Sequence, residues 1–233
     1  EMAVIGKAVT EAIHGEAPVA SYFQGTSGGG RDALAAVQNF PEDYDGVWVS
    51  DPAVYLTKQL GSWMWPPFVM NEQRHVVPPE KMECFRVEAI KACATPGGAS
   101  GSLLRALADN DFDASSLIGM ETPAGPISSE DAAVMQRIWN GPVSASGESY
   151  GYRLLPGIES WGSNLNQAGI SITVPVEEGY APFPFEPAET FFKCWLYRDE
   201  SWDWRSLTLE TYQAMFERAR SEFAPLDTAI ADL

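Results

Sequence analysis

Ser21-Tyr22-Phe23-Gln24-Gly25-Thr26-Ser27-Gly28-Gly29-Gly30-Arg31 is the stretch on which the fold turns. Just before the glycines, Val19 to Phe23 is a short, mostly apolar run of the buried-strand type. After them, Arg31 to Phe40 is predicted to be a helix, with Ala33, Leu34, Val37 and Phe40 as its apolar positions. Pro41-Glu42-Asp43 stops that helix, and Tyr44 to Ser50 reads as the next strand. Strand, tight glycine turn, helix and strand make a βαβ unit, which implies parallel strands joined by a right-handed crossover. The expected fold class is therefore α/β.

Inside that unit, Gly25-Thr26-Ser27-Gly28-Gly29 fits the pattern G-x-S-x-G. A serine at a sharp strand-to-helix turn is lifted to the carboxyl end of the sheet, and small neighbours are needed because the chain packs closely around it. Ser27 is then a candidate nucleophile. The backbone N–H of Gly28, at the start of a helix, is a candidate donor to an oxyanion. Two other glycine-rich turns compete with this reading. A phosphate loop wants a lysine followed by Ser or Thr at the helix start, and Gly30-Arg31-Asp32 does not supply it. A dinucleotide fingerprint wants G-x-G-x-x-G with a later acidic ribose ligand, and none stands here. A purely structural glycine turn is the remaining alternative.

Working outward, Val4, Ile5, Ala8, Val9, Ala12 and Ile13 recur at helical spacing before the first strand. The chain opens inside that pattern with Glu1-Met2 rather than an initiator methionine, so it is expected to start within a longer protein. Beyond Pro52 the text becomes helical and aromatic, with Trp63, Trp65, Phe68, Trp139, Trp161, Trp195, Trp202 and Trp204. Helices are predicted over Glu80 to Cys93, Ser128 to Trp139 and Leu209 to Phe223, with Ser128 as an N-cap and Asp131 in the first turn. Thr95 to Ser102 and Gly141 to Gly151 read as loops, and proline-rich Val174 to Pro187 as an irregular packed connection. There is no internal repeat and no second βαβ unit.

Lys and Arg number 15 against 32 Asp and Glu, a formal charge of −17. That balance repels phosphate backbones and anionic lipid, which argues against a nucleic-acid partner. No run approaches the ~20 apolar residues that span a bilayer, so no membrane partner is expected either. Cysteines are Cys84, Cys93 and Cys194, an odd number. If the first two share one helix, roughly 13 Å of rise separates them and they cannot bond.

The run from Ser21 to Arg31, with Phe40-Pro41-Glu42-Asp43-Tyr44-Asp45-Gly46-Val47 and Asp51-Pro52-Ala53, resembles the nucleophile region of the tannases and feruloyl esterases. In that family the stretch typically reads SYF-x-G-C-S-x-G-G-R, then a YPEDFDG-like run and a GAPA-like turn. Ile138-Trp139-Asn140-Gly141-Pro142 and Pro156-Gly157 are similar to the family's lid, and Ala229 to Leu233 to its return toward the core. The resemblance implies part of an α/β-hydrolase core with a large, mostly helical lid inserted after the nucleophile-bearing unit. The expected divisions are a core over 1–55, a lid over 56–225 and a return over 226–233. It also implies a secreted or periplasmic serine esterase acting on small phenolic esters of feruloyl or galloyl type. Trp63, Trp65, Trp195, Trp202 and Trp204 are candidates to wall the pocket and stack on the phenolic ring.

Three departures from the family pattern stand out. Thr26 occupies the position of the family's cysteine before the serine, so its disulfide to a cysteine after the catalytic histidine cannot form. The family's calcium loop, C-D-x-x-D-G-x-x-D-G, aligns with Cys93 to Ser102, where Ala94, Gly97 and Gly101 replace the three aspartates. Calcium needs several oxygen ligands, so no metal or other cofactor is expected; Asp109, Asp111 and Asp113 nearby read as a solvated turn. Finally, a serine nucleophile needs a base and the base an orienting acid, in the order Ser, Asp or Glu, His. Only His14 and His75 are present: His14 precedes Ser27, and His75 falls in the lid, where a packing role is the default. The resemblance places acid and histidine beyond Leu233, so the chain alone is expected to be nearly inactive. The alternative is a catalytically inactive relative that binds or scaffolds.

Overall fold

The computed structural model describes residues 1–93, 112–144, 146–157 and 172–228. They divide into two compact units: Glu1–Thr57 with Phe223–Leu233, and Lys58–Glu222.

The first unit opens with helix α1, Met2–His14, closed by Gly15 in the left-handed conformation at φ 80°. Its apolar positions do not enter a core: no residue of α1 is buried, and Met2, Val4, Ile5, Val9 and Ile13 are exposed. Strand β1 runs Tyr22–Thr26 and pairs in parallel with β2, Gly46–Ser50, from Tyr22↔Gly46 to Thr26↔Ser50. The strand thus lies later than the apolar run predicted, and Val19 is fully exposed. Pairing fixes where it starts: the Ser21 carbonyl accepts from Asp45 N–H at 2.8 Å, while Ser21 N–H donates to the Asp45 carboxylate at 2.7 Å. Helix α2, Gly28–Asn39, also begins earlier than Arg31, because the Ser27 carbonyl already accepts the Arg31 N–H at 3.1 Å. Ala33 and Leu34 are the buried side chains of α2. At the other end of this unit, Asp227 accepts from the Thr57 N–H at 2.9 Å and the Thr57 hydroxyl at 2.6 Å. Thr228 N–H donates to the Val54 carbonyl, so the outgoing and returning chain are fastened together.

The second unit is mainly helical. Helices α3 (Leu56–Trp63, whose first two residues belong to the first unit), α4 (Trp65–Gln73), α5 (Pro79–Cys93), α6 (Ser129–Asn140) and α8 (Leu209–Glu222) carry it, with a short α7 at Glu186–Thr190. Ser128 caps α6 in a reciprocal box: its hydroxyl accepts from Asp131 N–H, and the Asp131 carboxylate accepts from Ser128 N–H. The aromatic core is centred on Trp65, Phe68 and Tyr212, with ring centroids 4.6–5.4 Å apart. Tyr212 is fully buried and its hydroxyl donates to the Gly61 carbonyl. Gly61 lies so close to the Phe216 ring that an added Cβ would meet it at 2.3 Å.

One predicted connection is in fact regular. Within Val174 to Pro187, strands β3 (Thr173–Val176) and β4 (Gly179–Pro182) form an antiparallel hairpin. A two-stranded ribbon is all edge, so Pro175 and Pro182 are accommodated where a central strand would reject them. Gly179 at φ 88° supplies the turn.

Candidate active site

The turn between β1 and α2 holds Ser27 at φ 57°, ψ −118°. Few non-glycine residues adopt a positive φ, and this ψ lies outside even the ordinary left-handed helical region. Backbone of that kind is strained by about 1–3 kcal/mol and persists only where its surroundings over-determine it. Here three hydrogen bonds do so: Ser27 N–H donates to Ser50 O at 3.0 Å, and the Ser27 carbonyl accepts from Arg31 N–H at 3.1 Å and Ala53 N–H at 3.3 Å. The turn after β2 therefore grips the serine from the neighbouring strand.

Two glycines make the close approach possible, and only one of them was singled out by the motif. A Cβ on Gly25 would lie 2.0 Å from the Gly29 carbonyl oxygen. On the helical side the tight position is Gly30, where a Cβ would stand 3.0 Å from the Ser50 carbonyl oxygen and 3.2 Å from Pro52. Gly28 and Gly29 have open space at their Cβ positions. The second glycine of G-x-S-x-G contributes its backbone, and the steric demand falls one residue later.

Ser27 is exposed, and no side chain among the described residues hydrogen-bonds to its hydroxyl. It also makes no side-chain cap to α2. The N–H groups of the first turn, Gly28 included, have no intrahelical carbonyl to bond. A hydroxyl raised on a strained turn beside uncommitted amides can attack a carbonyl carbon while those amides receive the developing oxyanion.

Neither histidine is held by the serine. His14 is the last residue of α1. His75, in the second unit, places Nε2 2.8 Å from Asp131 Oδ1. Asp131 is completely buried and its other oxygen accepts from Lys81 Nζ at 2.6 Å. Burial alone would raise the Asp131 carboxyl, but hydrogen bonds from Lys81, the Ser128 N–H and His75 together hold it below the ordinary carboxylate value. The cluster ties the start of α5 and the segment after α4 to the N-terminus of α6, and this explains His75 without a catalytic role.

Of the aromatic candidates, Trp65 and Trp204 are each 1% exposed and belong to the core. Trp63 packs edge-on against Phe185 at 4.5 Å, and Trp202 stacks on Tyr197 at 5.1 Å. Trp195 is 54% exposed. A cavity of about 180 Å³ in the second unit is lined by Phe112, Asp113, Gln136, Trp139, Asn140 and Arg153, with Pro156; it includes neither Ser27 nor a histidine. Asp113 caps a short 3₁₀ turn through Ser115 N–H, and that bond lowers its carboxyl. Cys84 and Cys194 are free thiols. Ala94, Gly97, Gly101, Asp109, Asp111, Trp161 and the closing Ala229 to Leu233 lie outside the described residues.

A mixed α/β chain with a serine on a strained strand-to-helix turn belongs to a broad class. Its family is narrower. The model of the tannase and feruloyl esterase family matches residues 1–224, and the chain belongs to that family. A probable feruloyl esterase of Arthroderma benhamiae is 28% identical over 228 residues, which cover 96% of this chain and 41% of that protein. Feruloyl esterase B of Aspergillus niger is 25% identical over 94% of this chain and 40% of its own length. Among solved structures, the tannin acyl hydrolase from Aspergillus niger superposes with a TM-score of 0.77 at 20% identity, over 97% of this chain and 43% of that one. The chain thus spans about two-fifths of the length of the curated relatives it matches.

Proposed function

We propose that this chain carries the nucleophile of a serine carboxylic ester hydrolase of the α/β-hydrolase type, acting on phenolic esters of feruloyl or galloyl kind. The observation that carries the reading is the backbone of Ser27, at φ 57° and ψ −118°, between a parallel strand and a helix N-terminus. Strain of this degree at an exposed serine supports a functional demand on the position of its oxygen.

In this reading Ser27 Oγ attacks the ester carbonyl carbon as a histidine base removes its proton. The tetrahedral oxyanion is received by the Gly28 N–H. The carbon–oxygen bond to the alcohol then breaks, and the histidine proton goes to the departing alkoxide. Water, deprotonated by the same base, attacks the acyl-serine, releasing the phenolic acid and restoring the hydroxyl. The histidine and its acid come from outside these 233 residues; the commitment of His75 to Asp131 supports this. In this reading the helical unit is the counterpart of the family's lid, and its aromatic side chains supply the surface on which a phenolic ring stacks. No cofactor takes part, because Ala94, Gly97 and Gly101 offer no side-chain oxygen to a cation. Secretion is part of the proposal and rests on family membership alone.

The test is covalent labelling of the protein expressed from its complete natural reading frame, using a neutral aryl phosphonate ester. One adduct per chain at Ser27, absent in Ser27→Ala, is the expected result. Failure to label under conditions that label a known serine esterase would overturn the reading and favour the non-catalytic relative.

A further inference from the structure

Four described non-glycine residues have a positive φ: Ser27, Asp51, Arg74 and Arg198. Two of the four, Ser27 and Asp51, directly follow paired strands. The register of the parallel pair ends at Thr26↔Ser50, and Ser27 and Asp51 are the next residue of each chain segment. Neighbouring strands are spaced about 4.8 Å apart, so Asp51 follows β2 at the same end of the sheet as the serine follows β1. The residues flanking Asp51 are those that hold the serine backbone, through Ser50 O and Ala53 N–H. Its position relative to the serine is therefore fixed, not that of a floating loop charge.

Asp51 stands at φ 45° and is exposed. Its carboxylate accepts the Ser50 hydroxyl at 3.0 Å. Among the described residues it forms no ion pair, and Arg31, four residues along from Ser27 in α2, pairs with Asp32 at 3.0 Å. The strand next to the serine's thus ends in a carboxylate that has no ion-pair partner among the described residues.

We infer that Asp51 is a specificity-determining residue that selects by charge, disfavouring esters that carry a carboxylate close to the scissile bond and favouring neutral ones. This rests on the reading of Ser27 as nucleophile and adds the class of substrate that the site admits. At the separations available beside the serine and in a largely aqueous surround, one unit charge discriminates about three- to tenfold. The discrimination is screened as salt is raised.

The probes are two aryl phosphonates of equal size, one neutral and one bearing a carboxylate, and the readout is the ratio of their labelling rates at Ser27 in the complete natural protein. The neutral probe is expected to react faster by about three- to tenfold at roughly 0.02 M salt, with the ratio approaching one at roughly 0.5 M. Asp51→Asn keeps a residue that tolerates positive φ and is expected to bring the low-salt ratio close to one. Equal rates in the unaltered protein, or a ratio in Asp51→Asn that matches the unaltered one, would overturn the inference while leaving the nucleophile in place. Failure of both probes to label Ser27 would instead remove the nucleophile, and the charge filter with it. If Asp51→Asn does not fold, Asp51→Gly, which also suits the positive φ, takes its place, and an unchanged low-salt ratio in it overturns the inference.

Discussion

The two units of this chain hold their shape by different means. In the helical unit, side chains set the packing: Trp65, Phe68, Phe85, Phe192, Tyr212 and Phe216 are each at most 1% exposed and pack ring against ring. In the unit that bears Ser27, the buried apolar side chains are Ala33, Leu34 and Ala53, while Met2, Ile5, Tyr22 and Trp48 face outward. Its serine turn is held by backbone: a parallel ladder, three hydrogen bonds around one serine, and glycines where no Cβ fits. A core of large side chains tolerates volume-conserving exchange but not loss of volume. A turn built of backbone contacts tolerates almost nothing at two positions and nearly anything beside them.

The largest effect expected from this contrast is catalytic. Ser27→Ala in the complete natural protein should lower ester hydrolysis by at least about 10⁴-fold, with the melting temperature unchanged or higher. Retained activity would show that the strained turn is not a nucleophile's seat. Next comes stability. Phe68→Ala should destabilise by about 3–5 kcal/mol, through lost burial and a cavity. Gly25→Ala should cost about 3 kcal/mol or more, since its single added carbon meets a backbone oxygen that cannot turn aside. Gly28→Ala, with open space around it, should change stability by less than about 1 kcal/mol. Equal effects at Gly25 and Gly28 in urea unfolding would show that the serine turn does not concentrate its steric demand at particular positions.

Much of the backbone-built unit was legible in the sequence, because its constraints are local. Glycines at fixed offsets from a serine, between an apolar run and a helix, announce a turn whose geometry only small residues permit. The boundaries were less legible. Val19 is as apolar as any strand residue, yet pairing begins only where Asp45 meets Ser21. The demand for glycine at position 30 depends on Pro52 and Ser50, which local spacing does not reveal. In the helical unit, the Ser128 cap and its helix could be read directly, since a capping box is local too. The partnership of His75 and Lys81 with Asp131 could not, because it joins residues about fifty positions apart. The hairpin around Gly179 was hidden by its prolines, whose usual meaning assumes a strand with neighbours on both sides.

That partnership gives the helical unit a pH dependence of its own. Asp131 has its carboxyl held below the ordinary value, so its contribution to stability is complete above the unfolded aspartate range, near pH 4. It is lost as pH falls through the lower folded value. The helical unit should therefore lose stability below about pH 4 more steeply in the unaltered protein than in Asp131→Asn, which has no such proton to take up. Thermal denaturation of both proteins across that range checks it. Parallel curves would mean that Lys81 and His75 do not hold the charged form.

The smallest effect separates two kinds of positive φ. Ser27 lies at ψ −118°, whereas Arg74, which closes α4, lies at φ 52° and ψ 35°, within the left-handed region that helix ends commonly use. Glycine relieves both, but it relieves more where the original residue is further from any allowed basin. Ser27→Gly should raise stability by about 1 kcal/mol while abolishing activity, and Arg74→Gly should change it by no more than about 0.5 kcal/mol. Denaturant midpoints of the two variants give the comparison. A stabilisation at Ser27 would be the signature of a site whose geometry is maintained against the preference of its own backbone. If Arg74→Gly gained as much, the conformation of Ser27 would be an ordinary turn, and the strain would no longer distinguish it from the ends of helices elsewhere in the chain.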